Sequence, residues 1–161
     1  MISFEEARRA VGLTQQQLAA ILGITQPAIA AYESGRRRPT GPALAWLEAT
    51  HAAILTPHRS HGVVRGRTVD LPTVRWVSAI SPAATVVLPT RLDWSARREP
   101  NRDLTDLTER AATYAQIIEE GSASDIAIWI DPDALEDLWP DLPIARHLLS
   151  PVAAMLDEIR G

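Results

Sequence analysis

The sequence predicts a mainly α-helical fold: an N-terminal domain of four to five short helices, a basic linker with short β segments, and a small C-terminal helical module. Three observations predict it. In the first fifty residues a serine or threonine is twice followed three positions later by Glu or Gln, with a closing glycine beyond. Prolines and glycines then interrupt residues 56–84, and apolar residues return at helical intervals from Leu104 onward. The boundaries read as 1–55, 56–84 and 85–161.

The elements follow in order. Ser3 and Glu6 open the first helix, whose apolar side is Phe4, Ala7, Val11 and Leu13, and Gly12 stops it. Thr14 and Gln17 repeat the device, Leu18, Ile21 and Leu22 face inward, and Gly23 ends the second helix. Thr25 caps a third helix with Pro27 in its first turn, where a missing N–H costs nothing. Ile29 and Tyr32 face its core, and Ser34-Gly35 ends it. Thr40 and Pro42 start a fourth helix with Ala43, Leu44, Trp46 and Leu47 as buried candidates. In the linker, "TVRWVSAI" suggests a short strand, and "TVVLPTRLDW" suggests two extended pieces around Pro89. Leu104, Leu107, Ala111, Tyr114 and Ile117-Ile118 mark a long helix closed by Gly121. "SDIAIWI" reads as a capped helix or, because Ile126, Ile128 and Ile130 alternate, as a strand. Asp131-Pro132 opens another helix, and "PIARHLLSPVAAMLDEIR" is a last one, interrupted near Pro151.

The chain has 161 residues, 46 % hydrophobic and 22 % charged, as an ordinary globular protein does. It has no cysteine, which excludes disulfides, thiolate catalysis and cysteine-bound zinc. No apolar run approaches the ~18 residues that suggest a membrane span. "MISFEEARRA" has no apolar signal core, so a cytoplasmic location is expected. The net charge of -4 is uneven. Residues 1–55 hold five Arg and four acids, residues 56–102 eight Arg and three acids, and residues 103–161 three Arg and thirteen acids. A polyanion is attracted to the first two segments and repelled by the third. Arg59, Arg65 and Arg67 are open to two readings, an arm along phosphates or a solvated loop. All sixteen basic residues are Arg, which suits phosphate recognition but also reflects coding composition.

One constellation carries function. Thr14-Gln15, Leu18-Ala19, Leu22-Gly23-Ile24-Thr25, Ile29, Tyr32-Glu33-Ser34-Gly35 and Arg38-Pro39 are spaced as two short helices joined by a tight turn. Gly23 permits the turn, Ala19 permits close approach, and Ile24 plugs the corner. The second helix then projects its N-terminal end outward, as a major-groove reader must. Over roughly residues 3–50 the chain resembles the Cro/repressor (xenobiotic-response-element) helix-turn-helix family. The resemblance implies that Gln15 bonds a phosphate and approaches the reading helix, which Thr25 caps. It implies that Gln26 makes a bidentate contact to adenine N6 and N7. Pro27, Ala28 and Ala31 take the other outward positions, where family members often carry polar residues; here only thymine methyls are within their chemistry. Ser34, Arg36, Arg37 and Arg38 then lie along the phosphate backbone. One bidentate contact is worth roughly 1–3 kcal/mol of discrimination, so two half-sites and a homodimer are expected.

The acidic third shows no catalytic set, phosphate loop or activated serine. His58 and His61 have no carboxylate in metal-ligand register, and His147 stands alone. A non-enzymatic protein with no cofactor and no metal is expected. Trp94, Tyr114, Trp129 and Trp139 lie beside polar stretches, together with Asp131 and Asp133. Either they pack and cap internally, or they form a surface for a basic protein partner. "LPTRLDWS" and the stretch from Glu109 to Leu149 resemble the C-terminal part of helix-turn-helix antitoxins found beside nucleotidyltransferase-type toxins. That resemblance implies an antitoxin that represses its own operon on double-stranded operator DNA and neutralises a co-encoded toxin. The alternative is a stand-alone repressor whose C-terminal region dimerises or binds an effector.

Overall fold

A computed structural model describes residues 1–93 and 99–161. The mainly α fold is present. Four helices come first: α1 (Phe4–Val11), α2 (Gln15–Leu22), α3 (Gln26–Glu33) and α4 (Gly41–Ile54). The expected capping boxes open α1 and α2. Ser3 and Glu6 bond reciprocally, as do Thr14 and Gln17. Gly12 closes α1 at φ 89°, a left-handed conformation that a side chain resists. Its position is also tight, because an added Cβ would lie 2.9 Å from Pro89. Phe4 packs 5.3 Å from Tyr32 and 5.1 Å from Trp46, centroid to centroid, so one ring holds α1, α3 and α4 together.

Residues 58–72 form an antiparallel hairpin, β1 (His58–Val64) and β2 (Arg67–Pro72). Val64 pairs with Arg67, which leaves Arg65-Gly66 as a two-residue loop. Both loop residues have positive φ, 50° and 77°, the geometry that matches strand twist in tight hairpins. The register shifts at Gly62. β2 is no solvated linker: Val69 and Leu71 are buried, and the strand packs against the C-terminal helices.

Residues 73–80 read as a linker in which a short strand is possible, and the structure has no strand there. The segment is a strap. Trp76 Nε1 donates to Ile130 O at 2.7 Å, and the Ala79 and Ile80 N–H groups share Ile128 O. Isolated apolar anchors hold it, so no ladder forms. Only β3 (Thr85–Val86) of the next stretch is extended, paired with β4 (Arg102–Asp103). Pro89 begins a turn rather than a second strand.

Four helices complete the chain: α5 (Leu107–Glu120), α6 (Ala123–Trp129), α7 (Pro132–Leu138) and α8 (Leu149–Arg160). The two readings of "SDIAIWI" resolve to helix, because Ser122 and Asp125 form a capping box. α6 is buried nearly all round, which hides its periodicity. Pro151 lies in the first turn of α8, where proline is tolerated, so it does not interrupt the helix. A single apolar cluster extends from Phe4 to Ile159. The three segments read from composition therefore share one core, with α4 packed on α6.

Candidate nucleic-acid interface

The turn between α2 and α3 follows from its residues. Gly23 leaves α2 at φ 66°, and Ile24 N–H donates back to Ala19 O at 3.0 Å. Thr25 caps α3 by accepting from Ala28 N–H, which uses one lone pair of its hydroxyl and leaves the O–H free to donate. Ile29 and Tyr32 are buried, which turns Gln26 and Pro27 to solvent.

A relay of side chains crosses this unit. Arg8 on α1 forms an ion pair with Glu33 at the end of α3, through two guanidinium nitrogens. Arg8 also donates to Leu13 O at 2.8 Å. Gln15 Nε2 donates to Glu33 Oε2 at 2.8 Å, and Gln26 Nε2 donates to Gln15 Oε1 at 3.4 Å. Burial acts to raise the Glu33 pKa, but hydrogen bonds from Arg8 and Gln15 and the nearby positive charges outweigh it, and the net shift is downward. Glu33 is therefore a carboxylate at neutral pH. The relay leaves Gln26 with one amide N–H and its carbonyl oxygen uncommitted, a donor beside an acceptor.

Arg8 and Glu33 were not among the sequence candidates. One signal pointed to Glu33: an acid in the last turn of a helix opposes the helix dipole and calls for a cation.

The remaining candidates on α3 divide. Pro27 is exposed, and Ala31 is half-exposed. Ala28, expected outward, is as half-exposed as Ala31 but packs against the core, because buried Tyr32 lies four residues on, on the same helix face. Ala30, not anticipated, is half-exposed instead. Ser34 Oγ donates to Ala31 O and accepts from Arg36 Nε at 3.0 Å. Arg37 lies over the Tyr32 ring at 5.9 Å, and its N–H closes back on Ala31 O. Arg36, Arg37 and Arg38 are exposed, and among the described residues none is paired with a carboxylate. Three exposed cations beside α3, without acidic partners among the described residues, have the chemistry that suits phosphates.

The arginines of residues 56–102 behave differently. Arg59 pairs with Glu158 at 3.3 Å. Arg65 and Arg67 both reach Glu120, at 3.2 and 3.6 Å. Arg75 pairs with Asp133 and Glu136. Arg91 makes a bidentate 2.7 Å pair with buried Asp125 and touches Ala10 O and Val11 O at 3.4 Å. Arg102 is buried and bonds Asp93, Gln116 and Thr113. The hairpin arginines thus face the acidic helices, in ion pairs whose arginine side chains stay exposed to solvent. Five arginines of the basic segment reach five acids of the acidic one.

The candidate partner residues are scattered. Tyr114 and Trp129 are buried in the core, at 0 and 1 % exposure, so neither faces a partner in this fold. Tyr114 Oη accepts from Asp131 N–H at 3.3 Å, and burial raises its pKa. Asp131 caps α7 by accepting from Ala134 N–H at 2.9 Å. Asp133 is exposed but paired with Arg75, and Trp139 is partly buried. Trp94 lies outside the described residues. No cluster of three metal-ligating side chains occurs among the described residues, and none of the described helices is long and apolar enough to cross a membrane.

No curated protein and no solved structure matches the chain. Residues 4–45 match the family model described as helix-turn-helix, and this N-terminal unit is the DNA-binding part of a sequence-specific transcriptional regulator.

Proposed function

We propose that the chain is an operator-binding autorepressor that reads DNA through Gln26, anchors on phosphates through Arg36–Arg38, and acts as the antitoxin of a co-encoded toxin. The observation that supports the DNA half is the pairing of an exposed, hydrogen-bonded amide with three arginines that lack acidic partners among the described residues. One amide reads one base pair, so two copies on two half-sites supply useful specificity. The antitoxin half is supported by the resemblance of the C-terminal third to antitoxins. Asp137 and Asp141, both exposed near Trp139, suit a basic partner there. The test is co-expression with the product of the adjacent reading frame. A stable complex and rescue of growth support the antitoxin role; growth arrest that this chain does not relieve contradicts it.

A second reading, a stand-alone repressor, is favoured by the internal ion pairs. Arg59, Arg65, Arg67, Arg75 and Arg91 occupy Glu158, Glu120, Asp133, Glu136 and Asp125. Those acids are already engaged within the chain. Under this reading the chain binds its operator fully without any partner protein.

A further inference from the structure

The solvent face of α3 is apolar where a soluble helix ordinarily places polar side chains. Beyond Gln26, the outward residues are Pro27, Ala30 and Ala31. The one charged side chain within α3, Glu33, is drawn inward by Arg8 and Gln15. The outward face between Gln26 and Arg36 therefore carries no charge, and its one hydroxyl, Ser34, is turned to Ala31 O and Arg36. Such a face makes no hydrogen bonds to base edges. Apolar contact is its remaining means of discrimination, and in the major groove the apolar feature of a base edge is the C5-methyl group of a pyrimidine.

We propose that Pro27, Ala30 and Ala31 read pyrimidine C5-methyl groups, so that the preferred ligand is duplex DNA presenting an adenine edge to Gln26 with methylated pyrimidines beside it. The inference rests on the DNA-reading role proposed above. Two bases supply that methyl group, thymine and 5-methylcytosine. Uracil and cytosine lack it with the ring otherwise unchanged in outline. Burying one methyl is worth about a fourfold change in affinity.

The test is a binding selection with the full chain and random-sequence duplexes in three forms: ordinary bases, deoxyuridine replacing thymidine, and 5-methyldeoxycytidine replacing deoxycytidine. With ordinary bases, adenine is enriched at one position with thymines next to it. With deoxyuridine, the adenine enrichment stays and the neighbouring preference disappears. With 5-methyldeoxycytidine, that base is accepted at the thymine positions. Measured on one selected duplex, replacing a contacted thymine by deoxyuridine weakens binding about fourfold for the native chain. The same replacement has little effect on Ala31→Ser or Pro27→Ser, whose folding is checked by circular dichroism. A neighbouring preference that survives deoxyuridine, or an adenine site with no preference beside it, overturns methyl reading and leaves the Gln26 role standing. Absence of any enriched sequence contradicts the DNA-reading role itself.

Discussion

Glu33 makes no contact with DNA in this account, yet the orientation of Gln26 passes through it. It holds Gln15, and Gln15 holds Gln26. Removing its charge leaves Arg8, only 14 % exposed, short of its counterion. Glu33→Gln is expected to cost about 2–3 kcal/mol of stability, less than a fully buried pair because the site is partly open to water; urea unfolding measures it. The pH dependence follows from the lowered pKa. A carboxylate with a depressed folded-state pKa stabilises fully above its unfolded value, the ordinary glutamate value of 4.5, and loses that contribution as pH falls through the folded value. Native protein should therefore show a stability loss on acidification below about pH 4.5 that is smaller in Glu33→Gln. Equal losses in both proteins would remove Glu33 from that role. At this scale the sequence was half legible. Thr25, Gln26 and Pro27 declare themselves by position. The Arg8–Glu33 pair spans 25 residues, and only tertiary structure brings its members together.

Elements whose ends carry local chemistry were readable. Caps at Ser3, Thr14, Thr25, Ser122 and Asp131 begin α1, α2, α3, α6 and α7. The strap at residues 73–80 was not readable, because Trp76 and Ile80 are held by the carbonyls of Ile130 and Ile128, which are more than 40 residues away. Ala28 packs on the core because buried Tyr32 lies four residues on, on the same helix face. The functional counterpart at this scale is the segment after α3. Replacing Arg36 and Arg38 together by alanine should weaken binding to specific and non-specific duplexes alike. It should also reduce the slope of log K against log salt by about one per lost phosphate contact. Titrations at several salt concentrations provide the readout. A retained slope would show that these arginines stay in solvent.

At the scale of the molecule, charge patterning gave the right sum and the wrong geography. A basic middle segment and an acidic end read as separate surfaces, one for DNA and one for a partner. In the fold they pair, and a shared core joins them. Composition records how many charges a segment has, but not which of them a hairpin will carry across to another segment. Arg91 is the clearest instance, linking the end of α1 to the cap of α6 through buried Asp125. Arg91→Ala leaves Asp125 buried with only Ser122 as donor. We expect a loss of about 2–3 kcal/mol and a broader urea transition as the N-terminal helices loosen from the rest. An unchanged midpoint and slope would show that the apolar core alone joins the two ends.

The central claim is that a single side chain, Gln26, reads a base. It is tested by anisotropy titration of a selected operator duplex against the same duplex with its contacted A·T pair changed to G·C, for native protein and Gln26→Ala. Native protein is expected to favour the A·T duplex by about 1–3 kcal/mol, and Gln26→Ala to bind both duplexes equally with its non-specific affinity retained. Undiminished discrimination by Gln26→Ala would contradict it.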